Sequence, residues 1–217
     1  MSESEPTVFI VDDDLAVLKG LRLLMESVRL NVETYLSAQE FLDSYDQTRP
    51  GCLVLDVRMP GISGLELQEK LRQRNINIPV IIMTGYGEIA MAVEAMKKGA
   101  MMFVEKPISD QVLLDQIQKA IAKDARIRQE QDAQKTTTSR LALLTSRERQ
   151  VMNLVIAGKL NKVIARELGI SQKTVEFHRS NIMKKMKVDS LAELIRLVIE
   201  AGQIDITPLV PHKNDIS

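Results

Sequence analysis

Four apolar runs in this chain end on residues that can do phosphate or metal chemistry. Phe9-Ile10-Val11 leads into Asp12, Asp13 and Asp14, and Leu53-Val54-Leu55 leads into Asp56. Val80 to Met83 leads into Thr84, and Met101 to Glu105 leads into Lys106-Pro107. Carboxylates packed this closely repel one another unless a positive charge sits among them. Mg²⁺ meets that need, since it takes oxygen from one or two carboxylates and keeps waters or phosphate oxygens as its other ligands. It would hold Asp56 ionised, and an ionised carboxylate can attack phosphorus to give an acyl phosphate. Thr84 and Lys106 would then contact the phosphoryl oxygens, with the metal and the lysine stabilising the charge that moves in transfer. Each residue alone has a plainer explanation. An Asp pair after a strand often caps the next helix, and Asp14 is placed to do so; a lysine before proline is usually a turn residue; a threonine ending a strand is usually satisfied by backbone. The ordered set of Asp-Asp, Asp, Thr and Lys-Pro is far more specific than any member.

These residues need a scaffold that brings run ends together. Strands are expected at 7–11, 31–35, 52–56, 79–84 and 101–105. Their apolar runs are continuous rather than alternating, which points to strands covered on both faces, as in a parallel sheet. Between them lie helical periods: Ile89, Val93 and Met96 share one face, as do Leu113, Ile117, Ala120 and Ile121. Ser37/Glu40, Ser63/Glu66, Thr145/Glu148 and Ser190/Glu193 have the form of capping boxes. The fold class is α/β, a doubly wound five-stranded parallel sheet, followed by a small all-α domain. In an open sheet of that kind the crevice lies outside the carboxyl ends of the strands, where all the residues above would converge. The domains read as 6–124 for the α/β unit, 125–140 for a helical linker in which the fifth helix frays, 141–201 for the helical unit and 202–217 for a flexible tail.

The formal net charge is zero, but residues 1–124 carry a net −6 and residues 125–217 a net +6. An acidic half could hold a cation and a basic half could meet nucleic acid. In the basic half, "ELGISQKTV" has the form of a helix-turn-helix: Gly169 ends one helix and Ser171 caps the next. With Val175 and Ile182 inward, Lys173, Glu176, Phe177, Ser180 and Lys184 share the exposed face. Phe177 could touch thymine methyls and Glu176 could accept from cytosine N4. Lys173, Thr174, Arg179, Lys184 and Lys185 would meet phosphates. The bland alternative is a helix whose charges only solvate it.

The stretches "VDDD", "LDVRMPGISG", "MTGYG" and "FVEKP" resemble the receiver domain of two-component response regulators, a CheY-like fold, across 6–124. "TVEFHRSNIMKKM" resembles the LuxR-type helix-turn-helix of the NarL/FixJ group, and within it the FixJ branch. The resemblance implies a transcriptional regulator rather than an enzyme. It makes Asp56 the acceptor of phosphate from a sensor histidine kinase, with Asp12, Asp13, Asp56 and the backbone carbonyl of Arg58 around Mg²⁺. Thr84 becomes the switch hydroxyl, Phe103 the switch aromatic and Lys106 the family lysine, with Lys106-Pro107 a candidate cis peptide. Phosphorylation would favour a homodimer through the face formed by the fourth helix, fifth strand and fifth helix, and so promoter binding at half-sites one or two helical turns apart. RNA polymerase is a further implied partner. One departure stands out: Leu160-Asn161-Lys162-Val163 replaces the Ser-Asn-Lys-Glu capping box common in the group, so that Asn161 would cap instead, or Leu160 and Val163 would pack apolar surface.

Other classes fit less well. Phosphatases with an Asp nucleophile carry both acids in one D-x-D loop, and no G-x-G-x-x-G or G-x-x-x-x-G-K-[ST] occurs here for a dinucleotide or nucleotide. A protein partner in place of DNA remains an alternative for the helical half. With Cys52 the only cysteine, "MSESEP" unlike a secretory signal and no eighteen-residue apolar run, the expected place is the cytoplasm, without a membrane partner. The family hydrolyses its own phosphoryl group at rates set by the residues two beyond the Asp and the Thr. Here these are Arg58 and Tyr86, both bulky, so water access should be restricted. The radiolabelled phosphoryl protein, isolated without phosphatase, is expected to keep its label for many minutes; loss within seconds would contradict this.

Overall fold

The computed structural model describes residues 5–85 and 89–202. The elements in chain order are β1 (Thr7–Val11), α1 (Leu15–Ser27), β2 (Asn31–Tyr35), α2 (Ala38–Ser44), β3 (Gly51–Asp56), α3 (Gly64–Gln73), β4 (Val80–Thr84), α4 (Ile89–Lys97), β5 (Met102–Glu105) and α5 (Asp110–Ala142). Then follow α6 (Ser146–Ile156), α7 (Asn161–Leu168), α8 (Gln172–Met186) and α9 (Leu191–Glu200). The chain divides into two compact units between Arg128 and Gln129.

In the first unit all strands are parallel, in the order β2-β1-β3-β4-β5. The three central strands are buried along their length, because each apolar run has a helical layer on both sides. Alternate residues supply the two cores. Phe9, Val11, Leu53, Leu55 and Ile82 pack with Phe41 of α2, Leu67 and Leu71 of α3 and Ala95 of α4. Val8, Ile10, Cys52, Val54 and Ile81 pack with Leu18 and Met25 of α1 and Leu113, Ile117 and Ala120 of α5. The order reverses at β1 and β3, and in open α/β sheets that reversal opens the ligand crevice. Val11 pairs with Leu55, so Asp12 and Asp56 leave neighbouring strands one step later.

Two glycines are fixed by close approach. At Gly51, where φ is +150°, an added Cβ would lie 1.8 Å from the Thr7 carbonyl oxygen. At Gly64 it would lie 2.1 Å from the Asp56 carbonyl oxygen, so α3 can start against the end of β3 only without a side chain there.

One expectation of a shared face holds, and one of length turns out differently. Ile89, Val93 and Met96 share a helical face, which points outward, while α4 buries Ala95. α5 does not fray near residue 125 and runs on to Ala142. The segment holds no Gly or Pro, and its Ala, Arg and Gln, of high helix propensity, carry the helix through the threonines at 136–138 without an apolar stripe. Its seat on the sheet unit is polar. The buried Asp124 carboxylate accepts from the Gly51 N–H at 2.9 Å and from Arg128 Nε at 2.7 Å, while the Arg128 guanidinium donates to the carbonyls of Gln47, Thr48 and Arg49.

In the second unit Val151, Val155, Ile164, Val175, Ile182, Met186, Leu194 and Val198 form one core. Thr145 and Ser63 head complete capping boxes. At Ser37 and Ser190 the hydroxyl caps, but Glu40 and Glu193 reach one residue further back, to the N–H groups of Leu36 and Asp189. Gly169 ends α7 in the left-handed conformation and Ser171 caps α8, as the helix-turn-helix reading requires. Leu160 precedes α7 with no side-chain cap and is 74% exposed. Asn161 does not cap either; its Oδ1 accepts from Arg179. The expected tail lies, from residue 203 on, outside the described residues.

Burial beneath α1 and α5, with the Asp124 charge adding to it, pushes the Cys52 thiol up to about 12. Cys52 should therefore resist an aromatic disulfide reagent at pH 8 and react only as urea unfolds the chain. Prompt stoichiometric labelling of the native protein would contradict this packing.

Candidate functional site

The four run ends meet at the carboxyl edge of the sheet. Asp12 and Asp56 are 4% and 8% exposed, and between them lies the Lys106 ammonium. Its Nζ donates to Asp12 Oδ2 and to Asp56 Oδ1, each at 2.6 Å. The other oxygen of each carboxylate takes a backbone N–H: Asp14 N to Asp12 Oδ1 at 2.9 Å and Arg58 N to Asp56 Oδ2 at 2.7 Å. Lys106 is itself placed by strand pairing, its N–H bonded to the Thr84 carbonyl at 2.7 Å, and its bond to Pro107 is cis. Thr84 is buried at the end of β4, and Phe103 is half-buried on β5 against the core shared by α2, α3 and α4. Asp13 and Arg58 face solvent, while Asp14 caps α1 through the Ala16 N–H. Tyr86 lies outside the described residues.

The electrostatics favour a reactive Asp56. Burial pushes its carboxyl above the ordinary range; Lys106 and the Arg58 N–H pull it back, and the Asp12 charge adds to the rise. Burial works against the Lys106 ammonium too, but its bonds to Asp12 and Asp56 and their charges outweigh that and hold it above its ordinary value. Lys106 thus stays charged, while burial makes Asp56 a more basic carboxylate than an ordinary Asp. A basic, desolvated carboxylate is what nucleophilic attack on phosphorus asks for. The donors at this edge are all hard oxygens, which fits Mg²⁺. Among the described residues no three His, Cys, Asp or Glu side chains gather as a metal site, so a bound Mg²⁺ would retain several waters or phosphate oxygens.

The second candidate surface is α8. Lys173, Glu176, Phe177, Ser180 and Lys184 are all exposed, Phe177 at 62%. Thr174 is half-buried, its hydroxyl 2.8 Å from that of Ser171. Two of the expected phosphate contacts turn elsewhere. Arg179 Nη1 donates to Asn161 Oδ1 of α7 at 2.9 Å, and Lys185 Nζ donates to Glu148 Oε2 of α6 at 2.6 Å. Sequence reasoning missed Glu148 in this role: its capping-box position was legible, but its burial beside a lysine 37 residues away was not.

Residues 8–118 match the response regulator receiver domain, and residues 142–198 match the luxR family of bacterial regulatory proteins. The transcriptional regulatory protein FixJ of Azorhizobium caulinodans is 46% identical over 93% of this chain and 95% of its own length. Among solved structures, the response regulator StyR is 47% identical, covers 91% of this chain and 100% of its own and superposes with a TM-score of 0.83. Full-length FixJ from B. japonicum is 40% identical over 93% of this chain and 100% of its own, with a TM-score of 0.56.

Replacing Lys106 by Met leaves two buried carboxylates facing each other without a cation, and should cost roughly 2–3 kcal/mol at pH 7. Because the folded-state value of Asp56 lies above the ordinary 3.8, its burial costs nothing below that pH and grows costly as pH rises through the folded value. The variant's deficit should therefore shrink as pH falls toward 4. Urea unfolding at pH 5 and pH 7.5 measures both; equal stability of variant and wild type at pH 7 would contradict the role given to Lys106.

Proposed function

The chain belongs to the response regulators that join a receiver domain to a luxR-family helix-turn-helix, and from that membership we propose that Asp56 is its phosphoacceptor and α8 its DNA-reading helix. Residues 6–124 act as the receiver, 125–140 as the helical linker and 141–201 as the DNA-binding domain. An oxygen of the Asp56 carboxylate attacks the phosphorus of a phosphohistidine on a sensor kinase. The P–N bond breaks, an acyl phosphate forms, and the histidine leaves as its imidazole. Asp12, Asp13, Asp56 and the Arg58 carbonyl would hold Mg²⁺, which when bound would supply positive charge for the anionic transition state. Lys106, which here balances Asp12 and Asp56, turns its ammonium to the phosphoryl oxygens. Thr84, buried at the end of β4, brings its hydroxyl to them, and Phe103 turns inward from its half-buried position.

The observation that carries this reading is the pair of 2.6 Å contacts from Lys106 to two acids at the switch point. Pairing of two copies is supported by α4, whose Ile89, Val93 and Met96 lie exposed on one face. Pairing would bring two α8 helices onto promoter DNA. Lys173, Thr174, Ser180 and Lys184 would take phosphates, and Glu176 and Phe177 base edges. RNA polymerase is a further partner once the promoter is held. The relatives are named as transcriptional regulators, and no enzyme family is indicated. No helix among the described residues is long and apolar enough to cross a membrane.

The test is binding to genomic DNA fragments with and without an acyl-phosphate donor and Mg²⁺, alongside Asp56→Asn. The donor should move the wild type toward a dimer and tighten binding about tenfold, within the usual range of allosteric coupling. Asp56→Asn should respond to neither. A wild type whose size and affinity ignore both the donor and fluoroberyllate would overturn the reading.

A further inference from the structure

Lys185 stands apart from the other cations of α8. Positions three, four and seven apart share one side of a helix. The buried Val175, Ile182 and Met186 mark the inner side, and the exposed Lys173, Phe177, Ser180 and Lys184 mark the outer. Lys185 follows Ile182 by three and adjoins Met186, on the flank of the inner row. Its ammonium reaches Glu148 Oε2 at 2.6 Å, and Glu148 is only 3% exposed. The same oxygen accepts the Thr145 N–H at 2.8 Å, so one carboxylate ties together the start of α6 and the last turn of α8. A buried carboxylate stripped of its cation is costly. Lys185 therefore cannot turn to a DNA phosphate without stranding Glu148.

We infer that Lys185 is a positioning residue: through Glu148 it fixes the angle at which the outer row of α8 enters the groove, and it makes no phosphate contact of its own. This rests on the DNA-binding reading of α8. The two roles leave different traces. A phosphate contact contributes about 0.9 per protomer to the slope of log affinity against log salt, whatever the sequence. A positioning residue leaves that slope alone and lowers the preference for the right sequence.

The experiment uses the full chain with an acyl-phosphate donor and two duplexes: one enriched by the wild type from a random pool, the other shuffled with the same composition. Lys184→Met should reduce the salt slope by about 0.9 per protomer and leave the affinity ratio of the two duplexes unchanged. Lys185→Met should keep the wild-type slope and lower the ratio roughly threefold or more, the scale of coupling between contacting side chains. Lys185→Arg, which keeps a cation before Glu148, should restore most of the ratio. Glu148→Gln serves where Lys185→Met folds poorly, since Glu148 is buried and cannot itself meet the DNA. It should lower the ratio alike, and the double variant should be no worse than either single one. A slope that falls in Lys185→Met as in Lys184→Met, an unchanged ratio, or tighter binding by Glu148→Gln to both duplexes would overturn the inference. A wild type that enriches no sequence would instead overturn the DNA-binding reading beneath it.

Discussion

One ammonium between two buried carboxylates sets the terms for the receiver. Asp12 and Asp56 stand on adjacent parallel strands, and without a cation their repulsion in a desolvated crevice would oppose the pairing of β1 with β3. The ammonium arrives from the far edge of the sheet, so it must be delivered across β4. The bond from the Lys106 N–H to the Thr84 carbonyl does this. Thr84 thus has two ends: a carbonyl that fixes the lysine's backbone and a hydroxyl buried at the strand terminus. Gly64 closes the third side, bringing α3 against the backbone of Asp56 with no room for a side chain.

The helical unit repeats this logic for another purpose. Glu148 is as buried as Asp12, and it too is balanced by one lysine and a backbone N–H. There the pair joins two helices within a packed core; in the receiver it lies at a strand-end crevice with acids in excess. Surplus negative charge at a concave edge calls for a further ligand, and a balanced pair does not.

Much of this was legible because it follows from pattern. Continuous apolar runs with polar ends gave five parallel strands to within a residue or two, and with them the convergence of Asp12, Asp56, Thr84 and Lys106. Gly169 and Ser171 marked the turn before α8. The rest was not legible where two physical demands produce one pattern. An apolar stripe such as Ile89, Val93 and Met96 suits a core or an interface equally, and only the placement of α4 decides. Polar residues 125–140 suit a frayed linker or a helix held by propensity and by anchors such as Asp124 and Arg128, whose partners lie about eighty positions away. A lysine on α8 reads as a phosphate contact, and the buried acid it meets in the fold leaves no mark in the sequence. Period reports which residues share a face; it does not report what that face meets.

The charge inventory at the crevice explains why phosphate should change shape as well as charge. A phosphoryl group brings close to two negative charges at neutral pH. It would land where Asp12 and Asp56 already outnumber the one ammonium bound between them. Two of the three N–H donors of Lys106 are already on Asp12 and Asp56, so a phosphoryl group would compete with both acids for the lysine and would favour a divalent cation and the Thr84 hydroxyl beside it. Thr84 opens the segment leading to α4, a short helix held inward by Ala95, by Met91 against the same core and by the amide of the buried Gln68 on the Ala95 carbonyl. A helix packed on one side and apolar on the other has a face to gain by covering, and that gain would favour whichever position of α4 covers it. If Asp56 is the phosphoacceptor, the electrostatic demand at the strand ends and the uncovered face of α4 would together give the phosphate a differential affinity for two states, and no switch works without one.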